Sequence, residues 1–285
     1  MLEKEILRVF PLPSGLVPLK GLYLRECNHL RGSPDRPHVY ANFLSSLDGR
    51  IALEDEQGTP YLPESLTTQD DFRLFLELHC QSDCLITHGG YIRSLALGKL
   101  GNILQVGAHP SAEDLPFWRA SQGLKAQPTV VIASGSLDFP DPSPWLVPGQ
   151  KCLIATGAGA DPESVKSWEK KGFEVVVAGA GKSVEGASLV QMLGGRGHRS
   201  IYLIAGPLML ESMLRSGTLS LLYQTISHQL LGGESFRSMV PGPVLGIQGR
   251  VILEMLHYDP DSGDGVGQWF AKFASGIGGH EHPRG

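Results

Sequence analysis

The chain has 285 residues, of which 41% are hydrophobic. This length predicts one α/β domain with terminal extensions. A formal net charge of −5 argues against nucleic acid as the main partner, because phosphate binding requires clustered Lys and Arg. The 36 glycines and 20 prolines, about a fifth of the chain, predict many turns.

The first residues lack the cationic and apolar regions of a signal peptide, and no apolar run approaches the length of a membrane span. The four cysteines are scattered, which is typical of a reducing compartment. We therefore expect a cytoplasmic protein that does not contact a membrane.

Three segments of unequal character follow one another along the chain. Residues 1–36 contain short apolar patches broken by proline and glycine, which predicts an N-terminal extension. Residues 37–258 contain the regular helix and strand signals, and residues 259–285 form a glycine-rich stretch that predicts a flexible tail. The alternative for residues 269–273 is one short amphipathic turn that docks on the domain.

Strand and helix patterns alternate through the middle segment, so the sequence predicts a three-layer α/β fold with a mostly parallel sheet. The last strands lack intervening helices and predict an antiparallel finish. In chain order, the predicted elements are a strand at 38–44, a turn at 45–49, a helix capped by Thr68 to about 81, a strand at 84–87, a helix near 111–123, strands at 129–133 and 152–155, a helix at 161–171, a strand at 173–177, a helix at 186–194, a strand at 201–205, a helix from 206 to about 215, and strand-rich stretches at 219–230 and 244–258.

Glycine-rich motifs suggest phosphate binding at only two places. The segment 177–183 is similar to a Walker A loop, but Val176 stands where that loop needs its first glycine. The segment 156–159 is similar to a dinucleotide fingerprint, but Pro162 stands where the third glycine is needed. The junctions 85–90 and 203–207 each join a buried strand to a helix through glycine. A helix N-terminus at such a junction binds anions, although packing explains either junction equally well.

Other catalytic signals are weak. His280 and His282 are the only close histidine pair, and they lie near the end of the chain, so we expect no metal site. Zinc-deaminase, GxSxG and HExxH motifs are absent from the sequence.

The segment from Arg36 to Ala52, with its Ser46-Leu47-Asp48-Gly49-Arg50-Ile51-Ala52 run, resembles the opening of the riboflavin-biosynthesis pyrimidine reductases. Further segments resemble this family in the same order, namely 67–83, 84–92, 127–137 and 201–233, and together they cover about residues 36–258. The resemblance implies a dihydrofolate-reductase-like fold, a homodimer, and reduction of the ring-opened ribose of a phosphoribosylamino-pyrimidine by NADPH.

The resemblance also implies roles for particular residues. Asp48 and Ser46 are the candidate catalytic residues, although an Asp-Gly pair is also an ordinary turn and Ser46 could simply satisfy the backbone there. Asn42 is either directed inward to substrate or faces an edge. The candidate substrate-binding residues are Asn42, Arg73 and His79, and the candidate cofactor-binding residues are His88, Gly89, Gly90, Tyr91, Ser134, Ala205, Gly206 and Pro207.

This chain departs from the family pattern mainly in the cofactor motifs. His88 and Tyr91 replace Gly and Thr, Ala205-Gly206-Pro207 replaces Glu-Gly-Gly, and His79 replaces Arg. Proline has no N–H to donate to a phosphate. Two hypotheses therefore stand: an NADPH-dependent reductase, or a reductase-like protein without catalysis that serves as a binding or assembly partner.

Overall fold

The computed structural model describes residues 3–262 and 265–276. Within them, the strands are β1 (Glu5–Phe10), β2 (Gly15–Pro18), β3 (His38–Ser46), β4 (Arg50–Glu54), β5 (Pro60–Tyr61), β6 (Cys84–His88), β7 (Thr129–Ala133), β8 (Cys152–Thr156), β9 (Glu174–Val177), β10 (Ser200–Leu203), β11 (Leu221–Ser227), β12 (Phe236–Ser238), β13 (Val251–Asp259) and β14 (Gln268–Ser275). The helices are α1 (Gln69–His79), α2 (Gly89–Ala96), α3 (Leu115–Ser121), α4 (Pro162–Lys170), α5 (Gly186–Gly195) and α6 (Pro207–Arg215).

Eleven of these strands form one mixed sheet in the order β2-β1-β13-β14-β11-β3-β10-β6-β7-β8-β9. All neighbours from β11 to β9 are parallel, whereas those from β2 to β11 are antiparallel. The predicted fold class, a mostly parallel sheet with antiparallel C-terminal strands, is confirmed. A small second sheet joins β12, β4 and β5.

The main sheet is covered on both faces, as strands of a parallel sheet require. On one face, which we call the α1 face, Tyr40 and Leu85 of the sheet pack with Leu74 of α1 and Trp168 of α4. On the other, the α6 face, strand residues such as Val39 pack with residues of α5 and α6. The alternation of side chains along each strand therefore directs successive residues to opposite faces of the sheet, and the buried ones belong to two separate cores.

Local signals fix where the helices begin. The Thr68 hydroxyl accepts a hydrogen bond from the Asp71 N–H at 3.0 Å and caps α1. The Asp161 carboxylate caps α4 in the same way through the Ser164 N–H at 3.0 Å, with Pro162 in the first turn. Both caps satisfy backbone donors that the helix itself leaves free.

Both predicted extensions contribute to the main sheet. Residues 5–18 form β1 and β2, the two strands at one edge. The prediction of a flexible tail from residue 259 is wrong for residues 268–275, because β14 lies between β11 and β13 and its Phe270 is fully buried. The remaining tail residues 277–285, with His280 and His282, lie outside the described residues.

The predicted strand at 244–258 is also shorter than expected. Residues 246–249 form a 3-10 turn, and β13 begins only at Val251. In the part of the chain that the structure describes, no helix combines the length and the apolar character needed to cross a bilayer.

Candidate functional site

The α1 face is incompletely covered where the central parallel strands end, and we call this partly exposed region the crevice. Asn42 and Leu44 of β3 and Ile204 after β10 are only partly buried, although they lie near the middle of an eleven-stranded sheet. By the alternation along each strand, all three face α1. The helices on this face therefore leave the carboxyl ends of the central strands uncovered, and in α/β sheets ligands bind at these ends.

Two helix N-termini meet at the same edge of the sheet. α2 follows β6 and α6 follows the neighbouring β10, with His88 and Gly206 as their N-cap residues. Neither helix has a side-chain cap, in contrast to α1 and α4. The first-turn N–H groups and the positive ends of two helix dipoles are therefore directed to one place, where an anion is stabilised.

The His88 imidazole lies between these two N-termini. A Cβ on Gly90 would lie 2.8 Å from His88 Nδ1, and a Cβ on Gly206 would lie 3.7 Å from His88 Nε2. Burial, with a smaller contribution from the nearby Arg93 guanidinium, lowers the pKa of His88 to about 4. The ring is therefore neutral at physiological pH and adds no positive charge to the two helix ends.

The other predicted cofactor-binding residues lie at different positions around the two helix N-termini. Gly89 packs against Phe139 and the Ser134 hydroxyl, which accepts a hydrogen bond from the Leu137 N–H at 3.0 Å. Ala205 is buried at the end of β10, and Pro207 occupies the first turn of α6. These residues shape the two N-termini without placing a charged side chain there.

Tyr91 requires a correction, because its side chain does not face the N-termini. It is 7% exposed in the core of the α1 face. Its hydroxyl donates to the Gly101 carbonyl at 2.8 Å and accepts from the Ile103 N–H at 2.9 Å. Tyr91 therefore anchors the loop after α2, and its bulk does not obstruct the crevice.

The Ser46–Arg50 segment forms the turn between β3 and β4. The Ser46 hydroxyl donates to Asp48 and accepts from the Arg50 N–H at 3.0 Å. The Asp48 carboxylate also pairs with the Arg50 guanidinium and accepts from the Gly232 N–H at 2.9 Å. These interactions, foremost the Ser46 hydrogen bond, lower the pKa of Asp48 to about 2.

Asp48 therefore remains ionised at neutral pH and connects the turn to the loop after β11. Its lone pairs are engaged by protein donors, and so is the Ser46 hydroxyl. The turn interpretation of both residues agrees with this geometry, while their predicted catalytic roles stay predictions.

Two predicted substrate-binding residues are corrected by their burial and partners. The Arg73 guanidinium forms a bidentate pair with the Asp114 carboxylate, at 2.6 and 2.9 Å, and contacts the buried Glu77 carboxylate at 3.0 Å. His79 is fully buried beside Phe75, and burial lowers its pKa to about 3. Both side chains serve the packing around α1, and neither reaches the crevice.

Asn42 alone of the predicted substrate-binding residues faces the crevice, and the Tyr202 hydroxyl interacts both with it and with a carboxylate that the sequence did not reveal, Asp71. Asp71, in the first turn of α1, is 8% exposed and interacts with the Thr225 hydroxyl. Burial raises the pKa of Asp71 to about 6. An acidic residue in a first helical turn is common, so no sequence signal distinguishes this one.

A mostly parallel α/β sheet with an open crevice and helix N-termini at its carboxyl edge is the architecture of nucleotide-binding α/β proteins. The family model of the RibD C-terminal domain matches residues 37–254, and the chain belongs to this family. The resemblance to riboflavin-biosynthesis pyrimidine reductases is thereby confirmed at the level of the family.

Solved structures agree on the fold. The chain is similar to a pyrimidine reductase-like protein of Corynebacterium diphtheriae, with 20% identity, a TM-score of 0.61, and 85% of this chain and 92% of that chain covered. It is similar to Acinetobacter baumannii RibD, with 16% identity and a TM-score of 0.58, over 85% of this chain but only 58% of that protein. The Saccharomyces riboflavin biosynthesis reductase Rib7 gives 15% identity and a TM-score of 0.51, with 84% and 90% covered. No curated protein sequence matches the chain.

Proposed function

We propose that this protein is an NADPH-dependent reductase that acts on the ring-opened ribose of a phosphoribosylamino-pyrimidine. The observation that carries the proposal is the pair of uncapped N-termini of α2 and α6, side by side at the edge of the crevice. Membership in the RibD C-terminal domain family supports the same reaction class.

The residues at these N-termini fit the phosphates of a dinucleotide in charge and shape, with one restriction. Gly89, Gly90 and Gly206 let a ligand approach the backbone closely, and the helix ends favour its negative charge. The His88 ring already occupies the space beside Gly90 and Gly206. A cofactor held by these groups therefore requires His88 to turn away from the two glycines.

NADPH supplies a hydride when it is bound. The chain itself has to hold the substrate carbon in place and exclude water, which is the usual contribution of a protein to cofactor chemistry. In this proposal Asn42, which is partly exposed on β3, forms a hydrogen bond with the substrate. Because Asp48 is ionised and engaged, its contribution is to fix the loop after β11, through the Leu231 and Gly232 N–H groups, beside the crevice.

Titration of NADPH against the purified protein, followed by nicotinamide fluorescence, tests the proposal. We expect binding by the wild-type chain, and tighter binding by His88→Ala because the ring no longer fills the space between Gly90 and Gly206. His198→Ala is the matched control, since His198 lies at the opposite edge of the sheet beside Asp83. Absence of binding at millimolar NADPH by both wild type and His88→Ala would overturn the proposal.

The position of His88 also favours a second candidate function, a reductase-like protein that binds a partner without catalysis. The imidazole fills part of the cofactor crevice, and Ala205 stands where the resemblance implies an acidic side chain. Under this alternative, His88→Ala would gain NADPH binding that the wild-type chain lacks. The same titration therefore separates the two functions.

A further inference from the structure

A second concave site lies at the amino edge of the main sheet. It is a cavity of about 220 Å³, lined by Asp83 just before β6, by Arg119 of α3, and by residues 123–125 and 196–198, which precede β7 and β10. Because β10, β6 and β7 are parallel neighbours, their amino ends share one edge of the sheet. This edge is opposite to the one at which α2 and α6 begin. We call this site the Arg119 cavity.

The Arg119 guanidinium lies against the wall of this cavity and inside the protein. Arg119 is 1% exposed. Its Nε donates to the Lys125 carbonyl, and its Nη1 donates to the carbonyls of Cys80 at 2.7 Å and Ser82 at 2.6 Å. Lys125 lines the cavity, and Ser82 precedes the lining residue Asp83, so these hydrogen bonds place the guanidinium between two parts of the wall. Its Nη2 has no hydrogen-bond partner among the described residues.

The positive charge of Arg119 has no paired carboxylate. Within residues 3–262 and 265–276, its hydrogen-bond partners are the three backbone carbonyls. The Asp83 carboxylate attracts the guanidinium only from beyond ion-pair distance, since it accepts from the Arg199 N–H at 2.8 Å and lies 3.4 Å from the His198 imidazole. Buried charges in proteins are normally paired with an opposite charge. The cavity therefore borders a buried cation whose charge is left without a counter-ion.

Further cations surround the same space. The Lys125 side chain is exposed at the rim and forms no ion pair with any described residue. Arg196 also lines the cavity, and its guanidinium pairs with the Glu174 carboxylate. Arginine N–H groups bind two oxygens of a phosphate in fixed geometry, and a lysine ammonium binds it as a point charge. One buried guanidinium and one free ammonium are the groups that a phosphate dianion requires.

We propose that the Arg119 cavity is an anion-binding site that takes a phosphate group, with Arg119 Nη2 and the Lys125 ammonium as its donors. The site lies at the opposite edge of the sheet from the crevice. The inference therefore goes beyond the proposed function and does not rest on it.

NMR titration of the full-length protein with inorganic phosphate at pH 7.5 and constant ionic strength tests the proposal. Acetate is the control ligand, because it carries a single charge and two oxygens. The amide signals of Gly123 and Gly197 report on the cavity wall, and those of Gly90 and Gly206 report on the helix N-termini. We expect phosphate to shift the first pair to saturation and acetate to bind at least fivefold more weakly.

Three results would overturn the proposal. They are shifts that rise linearly without saturation, shifts confined to Gly90 and Gly206, and equal affinities for phosphate and acetate. The second result would locate the anion at the N-termini of α2 and α6 instead.

Variants assign the binding to the two donors. Lys125→Gln should weaken phosphate binding about two- to fivefold, the usual effect of one exposed ion pair. Lys166→Gln is the matched control and should leave the affinity unchanged, because Lys166 pairs with Glu163 on the surface of α4. Arg119→Lys keeps the buried charge but removes Nη2, and it should weaken binding at least about tenfold.

The same phosphate affinity in wild type and Lys125→Gln would contradict the assignment. Since Lys125 is exposed, this variant decides the question even if Arg119→Lys fails to fold.

Discussion

Replacing Asp71 by Asn should stabilise the protein above pH 6. Burial raises the pKa of Asp71 from 3.8 to about 6, with a smaller contribution from the neighbouring Asp70 carboxylate, while Thr225 opposes the rise. The folded protein therefore holds this proton more tightly than the unfolded chain does. Protonation of Asp71 therefore contributes to the free energy of unfolding. This contribution is fully present below about pH 4 and is lost as the pH rises through 6. A rise in pKa from 3.8 to about 6 corresponds to a loss of about 3 kcal/mol in the free energy of unfolding.

Urea unfolding at pH 4.5 and pH 8 measures the effect. Because the Asn side chain carries no ionisable proton, Asp71→Asn should be about 2 to 3 kcal/mol more stable than wild type at pH 8, with a much smaller difference at pH 4.5. Asp114→Asn is the control with the opposite sign, because the Arg73 guanidinium lowers the pKa of Asp114 to about 2. The Asp114→Asn variant should therefore be less stable than wild type at pH 8. Equal stability of Asp71→Asn and wild type at pH 8 would refute the reasoning.

Two further predictions concern the supporting structure. Arg73→Gln leaves the fully buried Glu77 carboxylate without its cation and should cost about 3 kcal/mol or more, measured by urea unfolding; an unchanged midpoint would contradict the structural role of Arg73. Gly194→Ala should lower the melting temperature despite the helix propensity of alanine, because its Cβ would lie 2.2 Å from the Pro34 carbonyl oxygen. Gly195→Ala, with open space around its Cβ, should instead gain up to about 1 kcal/mol, and a similar response of the two variants would rule out the contact with Pro34.

The parallel half of the fold was predictable because its signals are local. Each buried strand is a short apolar run, and Thr68 and Asp161 mark the first turns of two helices. β14 was not predicted, because its burial depends on strands from other parts of the chain. Its residues are buried only because β11 and β13 flank it, while the glycines around it indicated an irregular tail.

The candidate site was predictable only in part, since a motif identifies positions and not side-chain directions. The two glycine junctions were correctly placed at neighbouring strand ends. The side chains of Tyr91 and His88 nevertheless have different directions, although the two residues are only three positions apart. Tyr91 is directed into the core, and His88 lies between the N-termini of α2 and α6. The roles of Arg73 and Asp71 depend on partners from distant parts of the chain, namely Asp114 and Thr225.

The glycine at position 90 shows why the two sides of the crevice have to be tested separately. Its lack of a side chain suggests a ligand that approaches the backbone, yet the His88 ring occupies the same space, and a Cβ on Gly90 would lie 2.8 Å from Nδ1. A glycine at a helix N-terminus is therefore not evidence of an occupied phosphate site in this chain. On the substrate side of the crevice, the polar groups likewise have protein partners, because the Thr225 hydroxyl interacts with Asp71 and the Tyr202 hydroxyl interacts with Asn42.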